Sequence, residues 1–154
     1  MKEIEFVDLG LPSGTLWAKH NVCAHKRRHF THSQAVEIAR DLHCGLPAKE
    51  TFEELINLCK WKWMKLFGKV TGYKVTGPNG NYIFLPAAGY YSDTTFYGGG
   101  TNGYYWSSTY YLSSSAYCLD FYNSSKFISS YGYNRGYGHS VRLVKLVKKE
   151  LKYA

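Results

Sequence analysis

One stretch constrains this chain more than any other. Residues 87–138 hold twelve of its 15 tyrosines, with ten serines, eight glycines and three asparagines. Their only charged side chains are Asp93, Asp120, Lys126 and Arg135. A segment so rich in tyrosine, serine and glycine, and so poor in alanine and glutamate, favours short strands and turns over helices. It also separates two compositional regimes. Residues 1–86 and 139–154 each carry an excess of four positive charges, which together give the formal +8.

The N-terminal regime has clear local signals. Residues 4–9 and 15–19 read as short strands around the turn Gly10–Gly14. Thr31 and Gln34 have capping-box spacing, Ala35, Ile38, Ala39 and Leu42 form one apolar stripe, and Gly45 suits a left-handed stop. After Leu46 and Pro47 a second helix is expected, with Glu50, Glu53 and Glu54 near its start and Phe52, Leu55, Ile56 and Cys59 on its buried face. From Lys60 the period becomes two. Tyr73–Thr76 and Asn81–Leu85 read as a hairpin closed over 77–80, with Pro86 ending its second strand.

A glycine-rich loop is expected next, with Gly98–Gly100 too flexible for regular structure. Strands follow at 105–108, 116–122, 127–130 and 140–147. In 116–122, Ala116, Cys118, Asp120 and Tyr122 share one face, and Tyr117, Leu119 and Phe121 the other. The pattern predicts one α+β domain over 1–154, with two N-terminal helices packed on short antiparallel strands, a loop-rich C-terminal half and a basic tail over 145–154.

An apolar core does not account for tyrosines set among serine, glycine and asparagine. Tyrosine offers a large amphipathic contact area at small entropic cost, and the small polar residues supply adaptable hydrogen bonds. The segment 105–139 is therefore expected to display a ligand-binding surface. Its candidate contact residues are Thr109, Tyr110, Tyr111, Ser113, Ser115, Tyr117, Asp120, Tyr122, Ser129, Tyr131, Tyr133, Asn134, Tyr137 and His139. Regular pleating puts Tyr117 opposite Asp120 and Tyr122, so a bulge or irregular loop is needed to bring all of them together.

Other chemistries find little support. Lys26–Arg28 is a basic cluster without a nucleic-acid motif, so a solvated surface is expected there. Cys23, His25, His29 and His32 match no standard zinc spacing, and the four cysteines contain no CxxC pair, which favours free thiols. Carboxylates are too few for a calcium-dependent sugar site. Ser140, His139 and Asp120 lack the nucleophile-elbow context of a hydrolase. No catalysis, no cofactor, no metal and no nucleic-acid partner is expected. No apolar run is long enough to span a membrane, and the start shows no secretory signal.

Six strings carry a resemblance: VDLGLPSGTLWA over Val7–Ala18, Leu46–Pro47 with FEEL over Phe52–Leu55, and GYKVTGPNG over Gly72–Gly80, together with FLPAAG over Phe84–Gly89, YWSS over Tyr105–Ser108 and GHSVR over Gly138–Arg142. As a set they resemble the Fibrobacter major paralogous domain family and the variable proteins of diversity-generating retroelements, over residues 6–144. The resemblance implies a C-type-lectin-like fold, similar also to the formylglycine-generating-enzyme domain. That enzyme's paired late cysteines are missing here, where Cys118 stands alone.

The resemblance further implies a diversified receptor-recognition module, with a protein or glycan ligand on a cell or phage surface. It would work outside the cell or on a virion if exported or fused. A fixed-ligand, cell-envelope or glycan-binding domain of the same fold is the alternative. Adenine randomisation of AAY codons cannot produce Lys, Glu, Gln, Met or Trp. Across 109–139 those types occur once, at Lys126, which diversification would leave as framework.

Overall fold

The computed structural model describes residues 3–129 and 133–146. Tyr131 and most of the basic tail lie outside the described residues. The described residues are mostly β, with 49% strand and 14% helix. Its elements run β1 (Phe6–Asp8), β2 (Thr15–Ala18), α1 (His32–Asp41), α2 (Lys49–Leu58), β3 (Lys60–Leu66), β4 (Val70–Thr76) and β5 (Tyr82–Pro86). There follow β6 (Ala88–Ser92), β7 (Thr95–Gly99), β8 (Gly103–Tyr111), β9 (Ser115–Tyr122), β10 (Ser125–Ile128), β11 (Tyr133–Asn134) and β12 (Val144–Leu146).

This overturns the expected α+β, C-type-lectin-like arrangement of two helices packed on strands. The backbone is organised instead by several small antiparallel sheets: β1-β2-β12, β3-β4-β5, β6-β7, and a sheet in which β9 pairs with β8, β10 and β11. The helix signals are strong because they are local. They describe only two ten-residue elements in a chain held together by strand pairing.

Up to Pro86 the local expectations hold with one exception: the left-handed residue after α1 is His43, and Gly45 pairs with Val144 instead. Thr31 caps α1, accepting from the Gln34 backbone N–H while the Gln34 side chain accepts from the Thr31 N–H. The β4–β5 hairpin closes over 77–81, and its turn docks on β1: the Asn79 and Asn81 amides both donate to the Asp8 carbonyl. A side chain at Gly77 would collide with the backbone of Leu9, so glycine is required there for close approach. The glycine-rich loop expected after Pro86 is a correction. Residues 88–99 form the β6–β7 hairpin, with Tyr90 opposite Tyr97 and Tyr91 opposite Phe96. Gly89 and Gly98 take left-handed φ, and a Cβ on Gly99 would strike the Phe96 ring. The glycines shape a strand pair instead of preventing one.

The β8–β9 pair is covered on both faces. Tyr105, Leu119 and Phe121 face a core containing Trp17, Phe52, Leu55, Tyr73 and Leu85. Trp106, Ala116 and Cys118 face a second core with Phe30, Ala35, Ala39, Val141 and Leu143. The alternation read from 116–122 therefore assigns the faces as expected, but neither face is free along the middle of the strand.

The six strings turn out to touch one another. Ser13 donates from its hydroxyl and backbone N–H to the Glu54 carboxylate of α2. Arg142, only 1% exposed, donates to Asn21 and to the carbonyls of Ala18, Lys19 and Phe84. The Tyr105 hydroxyl bridges Pro86 and Asn21. These residues form the framework, which accounts for their presence without any ligand.

Candidate functional site

The sequence-predicted residues divide into two places, because β8 and β9 run from a free hairpin end into the interior. At the free end, Tyr110 pairs with Ala116 and Tyr111 with Ser115, and Leu112–Ser114 turn the chain. A bulge lies between Trp106 and Tyr110 on β8, but it does not bring the predicted residues together. It is fixed by Ser107, whose hydroxyl donates to the Tyr117 carbonyl and accepts from the Thr109 N–H. Thr109 Oγ1 in turn accepts from the Lys49 N–H at 2.9 Å. Ala48, the cap position of α2, offers no side-chain acceptor, so Thr109 supplies the cap from another element. That makes Thr109 a structural residue.

Around this support stands a tip of exposed and half-buried side chains, with Asn134 Oδ1 accepting from the Gly136 N–H. Tyr110 is 55% exposed and Leu112 78%, with Ser113, Ser114 and Asn134 exposed beside them. Tyr111 and Tyr117 meet edge to face, and the Lys49 ammonium lies 4.6 Å from the Tyr117 ring centre. The Arg135 guanidinium packs over Tyr110 and donates to the Ser113 carbonyl, while its backbone N–H bonds Ser114. Tyr110 also contacts the His32 ring. Between Tyr110, Ser114, Arg135 and the first turns of α1 lies a groove of about 680 Å³.

Farther along β9 the same residue types are packed away. Tyr90, Tyr104, Tyr133 and Tyr137 surround His139, with Tyr90 and Tyr104 centres 4.7 Å apart and the His139 ring 4.1 Å from that of Trp106. His139 is fully buried, and burial lowers its pKa to about 3, so it is neutral. Neither ring nitrogen has a hydrogen-bond partner among the described residues. Asp120, also buried, accepts from the Tyr133 hydroxyl at 2.9 Å and the Cys118 thiol at 3.1 Å. Desolvation raises its pKa to about 6, against the opposing pull of those two bonds. Ser129 is buried and accepts from the Cys118 N–H.

Of the fourteen predicted residues, the tip unites Tyr110, Tyr111, Ser113, Ser115, Tyr117 and Asn134. Tyr122 is exposed at the far end of β9. Asp120, Ser129 and His139 lie below the surface, and Tyr133 and Tyr137 are half-buried around them. Sequence reasoning missed Leu112, Ser114 and Arg135 in the tip and Tyr90, Tyr97 and Tyr104 in the basin. Arg135 carried a usable signal, as the sole arginine of the low-charge stretch.

The histidines do not converge. His29 Nε2 contacts the Ala88 carbonyl and His32 Nε2 that of Ser107, while Cys23 and His25 are exposed. His32 is a core residue. All four cysteines are free. Among the described residues no helix is long and apolar enough to cross a membrane. No curated protein and no solved structure matches the chain. One family, described as a domain of unknown function (DUF8237), matches residues 73–144, a span that runs from β4 to the start of β12 and contains both tip and basin.

Proposed function

We propose that the chain is a binding module that recognises a protein or glycan through the hairpin tip built on Tyr110, Tyr111, Ser113, Ser115, Tyr117 and Asn134. One observation carries this reading. The tip's shape is held by backbone pairing, the Ser107–Thr109 bulge and Arg135, so its tyrosine rings and small polar groups are available for contact. Rigid aromatic anchors with adaptable polar neighbours form a recognition surface at low entropic cost.

The composition of 109–139 and the resemblance to retroelement variable proteins support a diversified form of the module. So does Lys126, whose ammonium packs over the Trp61 ring at a framework position. In that form the exposed tip varies, while Asp120, Ser129 and His139 stay constant because burial leaves them no freedom. The test is binding of the purified chain to protein and glycan arrays, beside a Tyr110→Ala/Tyr117→Ala/Asn134→Ala variant. Array signals lost in a variant that melts like wild type support the tip. Signals that persist unchanged refute it.

A further inference from the structure

A second concave site lies away from the tip, where β5 and the β3–β4 turn face the segment after β2. It is a groove of about 1010 Å³. β5 and the β3–β4 turn bring the apolar Leu66, Val70, Tyr82 and Pro86, together with Lys69. Lys19, His20 and Arg28 also line it, with the buried Arg142. No carboxylate lines the groove among the described residues. Glu5 pairs with Lys19 at 3.5 Å from outside, through two well-exposed side chains where screening leaves little attraction. Arg142 is buried, and all the partners found for it are neutral carbonyl and amide oxygens or the Tyr105 hydroxyl. Its charge therefore adds to a one-sign field inside a low-dielectric wall, the arrangement that concentrates anions.

Phe67 gives a second, independent reason. It sits at the β3–β4 turn, beside Leu66 and Val70 in the groove's lining, with its residue surface 89% exposed and φ at 52°. Glycine or asparagine suits that left-handed backbone far better, and either suits water better than a phenyl ring. The position is unfavourable on both counts in the free protein. A contact made on binding offsets both.

We propose that this groove binds an amphipathic organic anion free in solution: a flat apolar body held between Phe67 and Tyr82, with its carboxylate, sulfonate or phosphate facing Arg28 and Lys69. Apolar lining with a few convergent polar groups is the usual make-up of a small-molecule site. The site is independent of the tip.

The experiment titrates the full chain with 1-anilinonaphthalene-8-sulfonate and, in parallel, with N-phenyl-1-naphthylamine, the same body without the anionic group. The expected result is saturable binding of one sulfonate dye per chain, with the neutral analogue at least about tenfold weaker and added salt weakening only the dye. Arg28→Glu/Lys69→Glu should weaken dye binding at least about tenfold. Phe67→Asn, which relieves the turn, should weaken it about fivefold with the melting temperature unchanged or raised. Equal binding of the two compounds, or wild-type dye affinity in both variants, would overturn the proposal. So would sedimentation with phosphatidylglycerol vesicles without saturable dye binding, which would assign the surface to a bilayer.

Discussion

The hairpin tip and the tyrosine basin share one composition and have opposite fates. Tyr110 and Asn134 stand in solvent, whereas Tyr133, one residue from Asn134, donates to the buried carboxylate of Asp120. The difference is the face of the strand. Tyr133 and Asn134 are neighbours on β11, opposite Ala116 and Ser115, so alternation turns Tyr133 to the side of Ala116, Cys118 and Asp120 and Asn134 outward. Residue type alone does not make a binding surface. The face on which the strand presents the residue does.

The comparison breaks most sharply at the cores. Trp106→Ala or Phe121→Ala should cost about 3–5 kcal/mol, measured by chemical denaturation, because each ring is fully buried. A cost below about 1 kcal/mol would mean that the two-faced packing of β8 and β9 is wrong.

Asp120 probes the basin through pH. Its folded-state pKa of about 6 lies above the ordinary 3.8, so protonation favours the fold. That contribution is complete below about pH 3.8 and is lost as pH rises through about 6. Asp120→Asn should therefore gain on wild type between pH 4 and pH 7.5, by up to about 3 kcal/mol. Denaturation curves at the two pH values measure it, and an unchanging difference would place Asp120 in water.

Thr109→Ala should lose about 1 kcal/mol through the missing α2 cap, with ligand contacts untouched. Tyr110→Ala should stay within about 0.5 kcal/mol of wild type, since the residue is 55% exposed. Thermal melts of both variants order them, and a larger loss at Tyr110 than at Thr109 would reverse the roles assigned to them.

Much of this was legible in the sequence where a single segment decides. The Thr31–Gln34 box, the α2 stripe and the two faces of 116–122 are local patterns, and they appear as read. The fold class was not, because it depends on pairings such as β2 with β12 that join distant segments without a local signature. The basin was hidden for a related reason. Tyr90 and Tyr97 reach it only because residues 88–99 form a hairpin, and Gly98–Gly100 suggested flexibility where close packing against Phe96 and Asn102 requires glycine. Thr109 looked like a contact residue since nothing in its neighbourhood announces the uncapped helix it serves.

The exposed side chains of the tip contribute little to the fold, whereas those of the basin are packed into it. Saturation substitution of residues 103–139, with each displayed variant scored for protease resistance, tests this directly. Broad tolerance is expected at Tyr110, Ser113 and Ser115, and rejection of nearly every substitution at Trp106, Ser129 and His139. Tip positions as restrictive as those three would contradict this, and would make the tyrosine-rich surface part of the fold.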